Sequence, residues 1–123
     1  MLEPNLVRNL VKVVARYPKV RIVLSSSWRE AFPLTELRSL FPEEMAKRIE
    51  GATPVVRFPG EQDRYREILA YLKKHGYENE PWLAIDDDTL NFPDGAPVIW
   101  TDPSQGFTGR AASELERRLR ACL

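Results

Sequence analysis

The chain has only one cysteine and one histidine among its 123 residues. A single cysteine excludes an internal disulfide, and Cys122 stands close to the C-terminus, which suits a protein of the reducing cytosol. One thiol and one imidazole, that of His75, are too few donors for a structural zinc site. These two shortages predict a cytoplasmic protein without zinc.

The sequence also lacks an excess of either charge and any long apolar run. Its 18 basic and 18 acidic residues give a formal net charge of zero. Because the basic residues are scattered, a broad nucleic-acid footprint or a membrane-binding surface is not expected. No apolar run approaches the roughly 20 residues that span a bilayer, and no signal peptide is visible. The length predicts one domain over residues 1–123, in which residues 31–59 form a short helical cap or insert.

The most informative feature present is an apolar run, Trp82 to Ile85, that leads into Asp86, Asp87 and Asp88. This order is typical of a buried strand that delivers charge to its carboxyl end, where open α/β sheets bind ligands. Three adjacent carboxylates repel one another, so a fold either leaves them in water or offsets them with a cation such as Mg²⁺. An acidic, solvated turn is the alternative interpretation.

A second apolar run, Val20 to Leu24, leads into three consecutive serines, Ser25, Ser26 and Ser27. Hydroxyls and backbone N–H groups at a strand-to-helix turn donate hydrogen bonds to anionic oxygens, and the helix dipole favours the negative charge. Helix capping by Ser27 is the alternative, but capping explains one serine and not three. The turn therefore predicts a phosphate site.

Apolar spacing and helix-boundary residues predict the remaining elements. The predicted helices run from Leu2 to Arg16, Pro33 to Leu40, Pro42 to Ile49, Glu61 to His75, and Arg110 to Leu123; Gly51 to Pro54 is predicted to be a turn or loop, and Pro97 to Trp100 a third strand. In the fourth helix, Ile68, Leu69 and Leu72 are predicted to face the core and Gly76 to form a left-handed cap.

Strands that alternate with helices predict a parallel α/β sheet with right-handed crossovers. The serine turn and the acidic strand end then fall on the same edge of that sheet. Arg64 and Arg66 lie near the start of the long helix, and one of the two is predicted to offer a cation to a phosphate at this edge. The alternative for Arg64 is a surface charge paired with Glu61 or Glu67.

Taken in chain order, these motifs resemble the haloacid-dehalogenase-like (HAD) superfamily, and within it the small HAD domains of RNA-repair proteins and phage-type HAD phosphatases. The residues that carry the resemblance are Ser25-Ser26-Ser27-Trp28-Arg29, Gly51-Ala52-Thr53-Pro54, Arg64 with Glu67-Ile68, Ile85-Asp86-Asp87-Asp88, and Thr101-Asp102-Pro103 with Gly106 and Thr108. The resemblance implies a three-layer Rossmann-like parallel sheet with helices on both faces. It also implies Mg²⁺-dependent hydrolysis of a phosphomonoester, either a phosphorylated small molecule such as a nucleotide or a nucleic-acid end.

The resemblance further implies roles for individual residues. Ser26, or else Ser25, hydrogen-bonds the transferred phosphoryl group, and Arg64 stabilises the aspartyl-phosphate intermediate. Asp87 binds Mg²⁺, with Asp86 beside it as a second ligand or orienting group; Asp88 is a weaker candidate.

One family motif has no counterpart in the sequence. The first motif, Asp-x-Asp, supplies the nucleophile and the acid that protonates the leaving group, yet the only acid before Ser25 is Glu3. The chain is therefore expected to be an N-terminally truncated form that lacks the first central strand and is inactive as it stands. The open sheet edge is expected to offer a surface to a homodimer. Two alternatives are a non-catalytic phosphate-binding or interaction module and an unrelated receiver-like regulatory domain.

Overall fold

A computed structural model describes residues 4–24, 33–54, 60–102 and 104–122. Helices and strands alternate along these residues, as an α/β fold requires. In chain order the elements are α1 (Pro4–Val14), β1 (Ile22–Leu24), α2 (Leu34–Ser39), α3 (Glu43–Ala46), β2 (Ile49–Ala52), α4 (Asp63–Lys74), β3 (Ala84–Asp86), a 3₁₀ helix (Thr89–Asn91), β4 (Val98–Trp100) and α5 (Gly109–Cys122). Within this part of the chain, no helix is long and apolar enough to cross a membrane.

The chain divides into two compact units. The terminal unit comprises Met1–Val20, Pro81–Asp87 and Pro97–Leu123, and the middle unit comprises Arg21–Glu80 and Asp88–Ala96. In the residues that the structure describes, each unit holds one two-stranded parallel sheet, β3–β4 in the terminal unit and β1–β2 in the middle unit. The predicted parallel pairing is therefore observed, in two small sheets.

The terminal unit is built around β3 and β4, whose central residues Ile85 and Ile99 are paired in register. Helix α5 packs against β4 and α1 packs against α5. The side-chain amide of Asn9 donates a hydrogen bond to the carbonyl of Phe107 at 2.7 Å, which ties α1 to the loop before α5. The buried apolar side chains of this unit are Leu10, Val13, Val14, Val98, Ile99, Phe107, Ala111, Leu115 and Leu119.

The middle unit corrects the sequence analysis at one element. Ile49–Ala52 was predicted to be the end of a helix followed by a loop, but these residues form β2, which pairs with Ile22–Leu24. Glycine and glutamate within this segment disfavour a strand, so its conformation depends on pairing with β1 and on the burial of Ile49. Arg38 fixes the start of the strand, because its Nε and Nη2 donate to the carbonyl of Ile49 at 3.1 and 2.7 Å.

The buried face of helix α4 differs from the predicted one at Leu69. Glu67 and Tyr71 are buried and the predicted Ile68 and Leu72 are half-buried beside them, whereas Leu69 is 40% exposed. Tyr71 lies directly over Gly51 in β2, where an added Cβ would stand 3.0 Å from the tyrosine oxygen. The absent side chain at Gly51 makes room for the ring, and this contact selects the face of the helix. The helix ends as predicted, at a left-handed Gly76 with φ of 73°.

Candidate functional site

The contacts of α4 establish its direction within the middle unit. The hydroxyl of Tyr71 donates to Glu50 Oε2 in β2 at 2.7 Å. Burial is the larger cause, and this hydrogen bond the second, of a raised pKa for the tyrosine. Beyond the end of the helix, Tyr77 accepts a 2.8 Å hydrogen bond from Arg21, which precedes β1. The C-terminal end of α4 therefore lies at the amino ends of the strands. Because the helix runs antiparallel to them, its first turn, which contains Arg64, lies toward their carboxyl ends.

At that carboxyl edge, β1 and β2 end side by side. Leu24 is the last residue of β1, and the N–H of Thr53 donates to its carbonyl at 2.9 Å. Thr53 is 5% exposed. Ser25, Ser26 and Ser27 follow Leu24 directly but lie outside the described residues, so their predicted contacts with phosphate stay predictions. Sequence analysis did not single out Thr53, and the only available signal was its place in Gly51-Ala52-Thr53-Pro54.

Arg64 forms an ion pair with Glu67 in the structure. Its Nη1 lies 3.4 Å from Glu67 Oε1, and the side chains are only 17% and 6% exposed respectively. One of the two alternative partners proposed from the sequence, Glu67, is thus observed. Pairing does not prevent anion binding, since a guanidinium carries five N–H donors. By contrast, Arg66 is exposed and pairs with Asp63 in the first turn.

The three acidic residues after β3 differ in their surroundings. Asp86 is the last residue of β3, half-buried, and its carbonyl accepts a 2.9 Å hydrogen bond from the N–H of Thr101. Asp87 is exposed. Asp88 caps the 3₁₀ helix, because its Oδ1 accepts from the N–H of Leu90 at 3.0 Å. Asp86 and Asp87 belong to the terminal unit and Asp88 to the middle unit.

A metal site at these carboxylates is incomplete within the described residues. Across residues 4–24, 33–54, 60–102 and 104–122, no group of three His, Cys, Asp or Glu side chains is placed to hold a metal ion. Asp86 and Asp87 offer two carboxylates at one strand end. Two such ligands fit a weakly held Mg²⁺ that keeps most of its bound water molecules. They are too few to replace that water with a full shell of protein ligands.

A groove of about 780 Å³ lies beside the start of α4 in the middle unit. Among the described residues, its charged lining side chains are the acidic Glu61 and Asp94. The lining residues are Gly60, Glu61, Gln62, Thr89, Leu90, Asn91, Phe92, Pro93 and Asp94.

The structure thus defines an α/β protein of small parallel sheets, with Thr53 after the carboxyl end of β2 and Asp87 after that of β3. A family model described as the HAD domain in Swiss Army Knife RNA repair proteins matches residues 1–112. The chain therefore belongs to this HAD family, and the resemblance drawn from its motifs is confirmed. Membership in the family decides against the receiver-like alternative. No curated protein and no solved structure shows significant similarity to the chain.

Proposed function

We propose that this chain is the phosphate-handling part of a HAD-type phosphohydrolase that acts on a phosphomonoester. The observation that carries the proposal is the direction of α4, which brings the turn of Arg64 toward the carboxyl ends of β1 and β2. In the sequence, three serines that lie outside the described residues follow Leu24, the last residue of β1. A guanidinium, hydroxyls and backbone N–H groups gathered at one sheet edge are the donors that bind a phosphate dianion.

Each side chain has a distinct task in this proposal. Ser26, or else Ser25, hydrogen-bonds the phosphoryl oxygens, and Arg64 offsets their negative charge. Asp86 and Asp87, at the end of β3 in the terminal unit, are the proposed Mg²⁺ ligands. Hydrolysis also needs a nucleophile, and a strand that ends in Asp-x-Asp is the proposed source.

The proposed substrate is a phosphorylated nucleic-acid end, with a nucleotide or another phosphorylated small molecule as the alternative. The support for a nucleic-acid end is the family description, which associates these domains with RNA repair. Local rather than extended contact with a polymer agrees with the zero net charge and scattered basic residues. A homodimer through an open strand edge stays a prediction.

Anion binding tests the proposal directly. The double variant Arg64→Gln/Glu67→Gln removes the guanidinium together with its carboxylate partner, so no charge of the pair stays buried. A charge-assisted hydrogen bond contributes about 1.5–3 kcal/mol. We therefore expect phosphate or vanadate binding, measured by calorimetry, to weaken roughly ten- to hundredfold.

Arg66→Gln is the matched control, because Arg66 lies two residues along the same helix with its side chain on another face. We expect this variant to bind the anions as the unmodified protein does. Equal affinity in the double variant and the unmodified protein, or a loss caused by Arg66→Gln, would contradict the proposed phosphate site.

Mg²⁺ binding tests the second half of the proposal. Asp87 is exposed, so Asp87→Asn should fold normally while removing one of the two proposed carboxylate ligands. We expect a Mg²⁺-dependent rise in melting temperature in the unmodified protein and a smaller rise in Asp87→Asn. Asp94→Asn, at another exposed aspartate, should leave the rise unchanged. The same Mg²⁺ response in all three proteins would show that Asp87 is not a ligand.

A further inference from the structure

The hydroxyl of Thr53 is buried without a hydrogen bond to any described residue. Thr53 is 5% exposed, and in the part of the chain that the structure describes its Oγ1 has no partner. A buried hydroxyl without a partner costs free energy, and native proteins keep few of them. Valine has nearly the same shape and lacks the hydroxyl, so this hydroxyl requires an explanation.

The position of Thr53 supplies one. Gly51 faces Tyr71 of α4. Backbone pairing with β1 continues one residue beyond β2 to Thr53, and side chains two residues apart in such a segment share a face, so we infer that Thr53 faces this helix as well. From Gly51 to Thr53 the strand advances roughly 6.6 Å. From Tyr71 back to Glu67 the antiparallel helix advances about 6 Å in the same direction. Thr53 therefore lies level with the Arg64–Glu67 ion pair.

The paired carboxyl ends of β1 and β2 also lie at this point. The N–H of Thr53 donates to the carbonyl of Leu24, so Thr53 lies beside the residue that precedes the three serines. Open parallel sheets bind their ligands just beyond such strand ends. An oxygen atom that arrives at this edge would meet a donor that the protein itself leaves unsatisfied.

We propose that the Thr53 hydroxyl is an anion-binding group, which donates a hydrogen bond to a phosphate oxygen directly or through one ordered water. This inference rests on the proposed function, because it adds a donor to the same phosphate site. A hydrogen bond to a charged oxygen is stronger than one between neutral groups. The bond to a bound anion would therefore offset the free energy that the buried hydroxyl costs in the free protein. Burial of this kind trades stability for function.

Thr53→Val and Thr53→Ser test the inference by two separate measurements. We expect Thr53→Val to raise the melting temperature without ligand, because it removes an unsatisfied buried group. In calorimetry with inorganic phosphate and with vanadate, the same variant should bind roughly ten- to hundredfold more weakly. Thr53→Ser keeps the hydroxyl and should bind both anions with nearly unchanged affinity.

A purely structural hydroxyl gives the opposite pattern. If Thr53→Val lowers the melting temperature or fails to fold, and Thr53→Ser does neither, the hydroxyl supports the fold and the inference is wrong. Unchanged anion affinity in Thr53→Val also overturns it. The Arg64→Gln/Glu67→Gln variant separates the two proposals. If this double variant loses anion binding and Thr53→Val does not, the inference about Thr53 is wrong and the proposed function stands. If the double variant binds the anions normally, the proposed function itself is contradicted.

Discussion

Arg64→Ala is expected to lower the free energy of unfolding by about 3–5 kcal/mol at pH 7, the range for breaking a buried ion pair. The substitution removes the guanidinium beside Glu67, whose side chain is only 6% exposed. Desolvation of that carboxylate is then no longer offset by the arginine. Because Arg64 itself keeps 17% exposure, the lower end of the range is expected. Urea denaturation with an unchanged m-value measures the loss as a change in stability alone.

Two further variants separate this effect from loss of packing. Arg64→Gln/Glu67→Gln neutralises both partners and should stay within about 1 kcal/mol of the unmodified protein, since replacing a whole buried pair is often nearly neutral. Arg66→Ala breaks the exposed pair with Asp63 and should cost less than about 1 kcal/mol. If Arg64→Ala costs no more than Arg66→Ala, the ion pair contributes nothing beyond a surface contact.

The second large effect concerns catalysis. The 123-residue chain is expected to hydrolyse p-nitrophenyl phosphate no faster than buffer containing Mg²⁺, because no Asp-x-Asp motif precedes Ser25. Phosphate binding and electrostatics alone do not replace a covalent nucleophile. Extending the chain at its N-terminus with a strand that ends in Asp-x-Asp should raise turnover by roughly a thousandfold or more, the size of effect seen for catalytic nucleophiles.

The matched control is the same extension ending in Asn-x-Asp, which provides the strand but not the nucleophile. It should restore no turnover. Robust hydrolysis by the 123-residue chain, abolished by Asp87→Asn, would falsify the claim that the nucleophile is missing. No turnover from the Asp-x-Asp extension, in a protein that still binds phosphate, would favour the non-catalytic phosphate-binding module.

Local patterns along the chain predicted most of the elements correctly. The apolar runs before Ser25 and Asp87 are strands, and the helical spacing from Glu61 to His75 corresponds to α4. These signals are local because a strand or helix buries side chains at a fixed period. Gly76 was predictable for the same reason, since a left-handed helix end needs a residue without a Cβ.

Elements that depend on distant partners were not predictable in this way. Strand β2 contains glycine and glutamate, and it exists because its backbone pairs with β1. The buried face of α4 was predicted from Ile68, Leu69 and Leu72, but the helix buries Tyr71 against Gly51 and leaves Leu69 exposed. No periodicity within the helix contains this information.

The sequence by itself determined the α/β class, the family, and the types of residue available for binding phosphate and Mg²⁺. Order along the chain and residue chemistry are sufficient for those conclusions. Only the tertiary structure decided that Arg64 pairs with a buried Glu67 and that Asp88 caps a 3₁₀ helix. It also decided that the Thr53 hydroxyl is enclosed without a partner in the described part of the chain. Pairing and burial depend on which residues distant in sequence are brought together, and that is settled by packing between elements rather than by any local pattern.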